Sequence, residues 1–221
     1  MKKAILISIK PEWVEKILNG EKTIEIRKTM PNCELPIDVY IYCTKEKPYL
    51  LREIENKNNI FLALTSRSDC HNYDTEYGMN CEYERECCDS LNGKVVAKFT
   101  LNEISNIYAS RQGCGRLNNP EDFEWFYSLG LVADDKNSSV YSQDYGVKTE
   151  KWSCLSQEEL HKYLKYKNGY AWHIDNREIF DKPKELSEFK VEKERKTGSF
   201  SWIERSKLTK APQSWCYVEV E

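Results

Sequence analysis

Histidine is scarce in this chain, with only His71, His161 and His173, and that scarcity narrows the chemistry from the start. A cysteine–histidine nucleophilic pair would have to draw on one of these three. His161 falls inside a helical pattern and is expected at the surface. His173 falls on a strand pattern, where an imidazole that simply finds a core partner is the better expectation. Apolar runs long enough to cross a bilayer are also missing. The opening Met1-Lys2-Lys3-Ala4-Ile5-Leu6-Ile7 has the charged start of a signal peptide. Its apolar run stops at Ser8, Lys10 and Pro11, and no small-residue cleavage site follows. A cytoplasmic protein without membrane contact is therefore expected. Nor is there a strong charge of one sign. Thirty-three Lys and Arg stand against 36 Asp and Glu, a net charge of -3 at pH 7, which argues against a dedicated duplex-DNA binder. A local basic site for a single strand or a nucleotide stays open.

Nucleotide and metal fingerprints are absent as well. Gly113-Cys114-Gly115 lacks the rest of a Walker or dinucleotide motif and lies between no convincing strand and helix, so it reads as a turn. The nine cysteines are many, but their odd number and the missing secretory signal make reduced thiols the default. Cys70, His71, Cys81, Cys87 and Cys88 crowd one segment. Zinc usually takes C-x₂₋₄-C pairs; that spacing is missing and the adjacent Cys87-Cys88 is awkward geometrically. No metal and no other cofactor is expected. Cys43, Cys114, Cys154 and Cys216 could each be imagined as nucleophiles, with no partner to support the idea.

What the chain has is alternation. With 221 residues, 40% of them hydrophobic and 12% aromatic, it suits one enlarged domain with a real core. Ala4 to Ile9 reads as a buried strand. Pro11 then starts a helix whose Trp13, Val14, Ile17 and Leu18 form the inward stripe, and Gly20 stops it. Trp13 is assigned to the core. Ile37 to Thr44 is the cleanest half-buried strand, with Tyr40, Tyr42 and Thr44 on its more polar face. Further strands are expected at Ile60 to Leu64, Gly93 to Leu101, Tyr170 to Ile174 and Gln213 to Glu219. Two polar excursions interrupt this series, at about 45–92 and 109–168. The first is acidic over 69–92 and could form a contact surface for a protein partner. The second should hold a helix with Phe123, Trp125, Phe126 and Leu129 inward, then a loop from Ala133 to Lys151, then a helix capped by Ser156-Gln157-Glu158-Glu159 and closed by Gly169. Lys184 to Arg195 is charged and weakly periodic. Strict strand–helix alternation and internal repeats are missing, so a small mixed barrel with decorations is the expected architecture.

One stretch carries chemistry. In Gly20-Glu21-Lys22-Thr23-Ile24-Glu25-Ile26-Arg27-Lys28 an extended backbone puts Ile24 and Ile26 on one face and Thr23, Glu25 and Arg27 on the other, with Lys22 at the turn. An acceptor, a bidentate donor and an ammonium together could hold a planar polar group such as a nucleobase, or a phosphate. The plainer reading is an edge strand whose Glu25 and Arg27 pair in solvent. If the three groups hold a ligand, truncating Lys22 or Arg27 is expected to abolish binding and leave stability nearly unchanged. Trp215, beside Gln213 and Ser214, could stack on a base.

The run Gly20-x-Lys22-x-x-Glu25-x-Arg27 resembles the hallmark of ASCH domains, in the PUA-like superfamily. The segments Tyr170-Ala171-Trp172-His173-Ile174-Asp175-Asn176 and Ala211-Pro212-Gln213-Ser214-Trp215-Cys216 resemble the closing strands of prokaryotic and phage members. The resemblance implies an α+β, PUA-like mixed β-barrel of about six strands. It would have a helix after the first strand and make a single domain over 1–221, with the two excursions as insertions. It also implies RNA or nucleoside binding in a cleft lined by Lys22, Glu25 and Arg27, with Tyr42, Thr44 and Trp215 as further ligand contacts. Some relatives are hydrolases: ribonucleases, or amidohydrolases on N4-acetylcytidine that use a lysine base, a threonine nucleophile and a glutamate acid. Lys22 matches their lysine, but Glu25 stands where they have threonine. In an enzyme, Glu25 would then act as general base for water, with Lys22 on the carbonyl or oxyanion.

Overall fold

A computed structural model describes residues 2–45, 50–54, 60–64, 90–112, 124–130 and 143–220. Among them lie 13 β-strands and three α-helices, an α+β fold made mostly of strand. The chain forms two compact units: Met1–Asn19, Ile37–Thr100 and Asn176–Glu221 make the first, and Gly20–Pro36 with Leu101–Asp175 the second.

The first unit is built on a seven-stranded sheet. In spatial order it runs β10 (Asp175–Lys184), β6 (Val95–Leu101), β3 (Ile37–Cys43), β1 (Lys2–Ile9), β13 (Trp215–Val220), β11 (Lys190–Thr197) and β12 (Phe200–Lys207). Strand β1 lies at its centre, parallel to β3 and antiparallel to β13. Both its faces are covered, so Ala4 to Ile9 are all buried and the stretch reads as a continuous apolar run. Ala4, Leu6, Tyr40, Tyr42, Val95, Phe189 and Val218 form one core cluster of the sheet. Helix α1 (Pro11–Leu18) has Pro at its first position and buries Val14, Ile17 and Leu18. Trp13, expected in the core, is only half-buried. The cap is Asn19, and Gly20 follows at φ 82°, the left-handed turn that ends the helix. Strands β4 (Leu50–Ile54) and β5 (Ile60–Leu64) pair in a separate two-stranded ribbon.

The second unit is an antiparallel four-stranded sheet in the order β2 (Ile24–Arg27), β9 (Gly169–His173), β7 (Ile104–Gln112) and β8 (Glu124–Leu129). Two helices, α2 (Gln143–Ser153) and α3 (Gln157–Leu164), complete it. Its core joins Ile24 and Ile26 to Ile107, Tyr127, Leu129, Ala171, Leu160 and Leu164. Helix α3 has the expected capping box, with Ser156 and Glu159 satisfying each other's backbone N–H groups. It ends at Lys165 in the left-handed region (φ 52°) and not at Gly169.

Three expectations in the second excursion are corrected. The segment expected as a helix ending at Leu129 is strand β8. Trp125, Tyr127 and Leu129 alternate onto the core side, so period two wins over the i, i+1, i+4 spacing that suggested a helix. The expected loop up to Lys151 contains α2, a polar helix held by tertiary contacts: Thr149 is fully buried and its hydroxyl accepts the Leu129 N–H at 2.9 Å. His161 is half-buried rather than exposed, with Nδ1 3.2 Å from the Tyr127 hydroxyl. Strand β8 is a sheet edge, and the Gln157 amide covers part of it, accepting from Tyr127 N at 2.7 Å and donating to Tyr127 O at 3.1 Å.

Gly169 has a packing role instead of a capping one. A Cβ there would lie 2.7 Å from Leu164 Cδ2 and 3.2 Å from the Arg27 carbonyl oxygen. Gly169→Ala must therefore push α3 or β2 aside, and is expected to cost about 1–3 kcal/mol of stability. A lowered urea midpoint with an unchanged m-value would show it; an unchanged midpoint would mean that the approach is looser than the structure has it.

Candidate functional site

Lys22, Glu25 and Arg27 lie together in the second unit, where β2 forms one edge of the four-stranded sheet. The alternation read from sequence holds: Ile24 and Ile26 go into the core, leaving Glu25 and Arg27 to the opposite face. Antiparallel register with β9 sets Glu25 opposite Trp172 and Arg27 opposite Tyr170. The solvated edge-strand picture fails, however. Lys22 is 2% exposed, Glu25 7% and Arg27 8%.

Glu25 links the two cations. Its Oε2 lies 3.4 Å from Lys22 Nζ and its Oε1 3.1 Å from Arg27 Nη2. Lys22 also donates a short hydrogen bond to the carbonyl oxygen of Ser153, a fully buried residue at the C-terminal end of α2. The adjacent Thr23 is tied on both sides of its backbone: its N–H donates to Trp152 O and its carbonyl accepts from Ile174 N–H, both at 2.9 Å. The end of α2 and the strand end of β9 therefore fix the turn that carries Lys22. Carbonyls at a helix C-terminus attract a cation. That local cause puts this ammonium where it is.

Burial is the largest influence on Lys22 and pulls its pKa below the ordinary 10.5. The Glu25 carboxylate opposes this, as does a Cys154 thiolate, and the Arg27 guanidinium adds to the lowering. Cys154 thus falls within electrostatic reach of Lys22, in a left-handed backbone conformation (φ 55°) just after α2. The other imagined nucleophiles fare worse. Burial pushes the Cys43 thiol up to about 12 and raises that of Cys216, so neither supplies thiolate at neutral pH. Cys114 lies outside the described residues.

The structure brings Lys22, Glu25 and Arg27 together; Tyr42, Thr44 and Trp215 belong to the first unit. Tyr42 is 6% exposed and packs in that unit's core. The Thr44 hydroxyl oxygen is buried without a hydrogen-bond partner among the described residues, while its N–H donates to Ile9 O at 2.9 Å. Trp215 is half-buried and meets Tyr217 edge-on at 5.5 Å. His173 has the partner expected of it, with Nε2 2.8 Å from Ser105 Oγ. Sequence reading missed Ser153 and Trp152 as supports of Lys22. Nothing in the local pattern points to residues so far along the chain. Among the described residues no group of His, Cys, Asp and Glu could hold a metal ion. Cys70, His71, Cys81, Cys87 and Cys88 lie outside them, as does most of the acidic 69–92 segment. No helix among the described residues is long and apolar enough to cross a membrane.

The fold is mostly stranded α+β, and the G-x-K-x-x-E-x-R run carries a buried lysine, glutamate and arginine. The model of the ASCH domain matches residues 7–184, and the chain belongs to that family. The ASCH domain is a PUA-like fold generally linked to RNA binding. Among solved structures the chain is similar to the ASCH protein of Zymomonas mobilis, at 13% identity and a TM-score of 0.46, over 98% of this chain and 87% of that one. A mutant of the same protein matches at 14% identity and a TM-score of 0.44, over 99% and 91%. No curated protein matches the chain.

Two outcomes follow from the buried charges. Glu25→Ala leaves two buried cations without their carboxylate and should cost about 3–5 kcal/mol, while Lys22→Ala and Arg27→Ala, which leave Glu25 one cation, should cost less. This replaces the expectation that truncation would spare stability. Chemical denaturation would rank the three, and an equal or smaller loss for Glu25→Ala would refute the linked arrangement. The second outcome concerns pH. Between the depressed folded pKa of Lys22 and 10.5 the unfolded chain binds more protons, so stability rises with pH. Relative to Lys22→Met, the wild type should gain stability across that window and level off above it. A relative loss would show that the folded pKa is raised instead.

Proposed function

We propose that this ASCH protein binds RNA or a modified nucleobase or nucleoside through Lys22, Glu25 and Arg27. The carrying observation is that two cations share one carboxylate in a site where all three are buried. In a site that water hardly reaches, donors fixed in this way favour a phosphate or carbonyl oxygen. Arg27 presents a planar fork suited to such oxygens, and Lys22 a point charge. Glu25 fixes both cations and accepts from an exocyclic amine or ribose hydroxyl. We read the chain as a single domain of the prokaryotic or phage type, with the excursions at about 45–92 and 109–168 as insertions. In support, one family match begins before the first excursion and ends after the second. A cytoplasmic setting fits the thiols of Cys33, Cys43 and Cys216, which are not in disulfides.

One observation favours a second reading, that of a hydrolase. A lysine whose pKa is pulled down by burial is a better base at neutral pH than an exposed one. Lys22 could then activate water toward an N4-acylated cytidine or an RNA phosphodiester.

A thermal-shift series with N4-acetylcytidine, other modified nucleosides and short RNAs separates the readings. With ligand about a hundredfold above Kd, the wild type should melt roughly 5–10 °C higher, and Lys22→Met should show no rise above its own baseline. Release of acetate or RNA fragments, lost in Lys22→Met, would replace binding by hydrolysis. No shift with any of these ligands would remove the proposal.

A further inference from the structure

The hairpin of β11 and β12 begins at Lys190, beyond residue 184 where the family match ends. Every residue from Glu192 to Lys207 is exposed. A two-stranded ribbon in solvent is marginal by itself, and this one is held by eight paired positions and by ion pairs. Arg195 meets Glu204 at 2.6 Å and Arg205 meets Glu192 at 2.7 Å. A short Gly198 turn (φ 61°) joins the strands.

The register sorts the side chains. Thr197 pairs with Phe200, Arg195 with Trp202 and Lys193 with Glu204, and positions two apart share a face. Phe200, Trp202, Arg195 and Lys193 therefore lie on one side of the ribbon, together with Glu204, which is ion-paired with Arg195. Phe200 is 79% exposed and Trp202 51%, and side chains of that size are seldom left in water together without a partner. Charge narrows the choice of partner. Residues 190–207 carry six lysines and arginines against three glutamates, in a chain whose net charge is -3. A second copy of the hairpin would bring like charge against like, whereas a polyanion that offers flat rings would meet both the cations and the aromatics.

We propose that the β11–β12 hairpin, which lies beyond the family match, is an arm that binds single-stranded RNA. Phe200 and Trp202 stack on bases and Lys193 lies along the phosphates, while Arg195 stays with Glu204 and stiffens the ribbon. The inference extends the nucleic-acid reading to a second surface and does not require the Lys22 site to hold the strand.

Fluorescence anisotropy with a labelled short oligouridine tests it on the full chain. Stacking is worth about 1–3 kcal/mol per base, so Phe200→Ala/Trp202→Ala should weaken binding by at least about 30-fold, with the melting temperature kept because both side chains are exposed. Phe200→Leu/Trp202→Leu, which keeps apolar bulk, should lose affinity as well. Lys193→Ala should lower the salt slope by about 0.7. Wild-type affinity in both aromatic variants, or no binding by the wild type, would overturn the proposal. So would a concentration-dependent dimer in sedimentation that the double variant abolishes, since the face would then belong to a second copy. If Lys22→Met alone abolishes oligouridine binding, the strand lies at the Lys22 site: the arm is refuted and the reading of that site stands. If only the hairpin variants lose binding and no nucleoside shifts the melt, the reverse holds.

Discussion

Glu25 is placed between two cations, and the candidate site depends on that sharing. A carboxylate buried with one lysine would be an ordinary ion pair, neutral overall and with little to offer a ligand. With Arg27 on one oxygen and Lys22 on the other, one carboxylate orients two donors in a site that water hardly reaches. Buried charges of this kind are costly to desolvate, and apolar residues of similar volume often stabilise a fold better. Stability alone therefore gives no reason for the arrangement. A ligand that brings negative charge or carbonyl oxygens would meet two donors already fixed in place, and this is the physical link from geometry to recognition.

The second unit holds the three groups in place from several directions. Strand β2 has only four residues, too few to fix its own register firmly, but Ile24 and Ile26 anchor one face in the core. A slip of one residue would turn the charges into that core and the isoleucines onto the polar face. At the other end, Ser153 and Trp152 hold Lys22 and Thr23 through backbone carbonyls, so the position of the ammonium follows the end of α2. The absence of a side chain at Gly169 lets β9 approach the Arg27 carbonyl. Packing elsewhere in the unit thus sets the electrostatics of the site.

Much of this was legible in the sequence. Period-two alternation separated the isoleucines from Glu25 and Arg27, and the G-x-K-x-x-E-x-R run pointed to the family. Burial was not legible, because the same alternation fits an edge strand in water as well as one whose polar face is covered. The supports of Lys22 were invisible for a different reason: they come from a helix with little apolar periodicity, held by the buried Thr149 and Ser153. Strand β8 was misread because Trp125, Phe126 and Leu129 satisfy a helical spacing while Trp125, Tyr127 and Leu129 satisfy a strand. The charged hairpin was obscure because it buries almost nothing, and burial is what leaves a periodic signature.

The most direct test of the shared carboxylate is a double-mutant cycle between Lys22→Met and Glu25→Gln, repeated between Glu25→Gln and Arg27→Met, each read by equilibrium denaturation. Groups in one buried network couple by about 0.5–3 kcal/mol. The account predicts favourable coupling in both cycles. Additive losses in either would mean that Glu25 does not hold both cations, and the shared carboxylate on which the site depends would not be there.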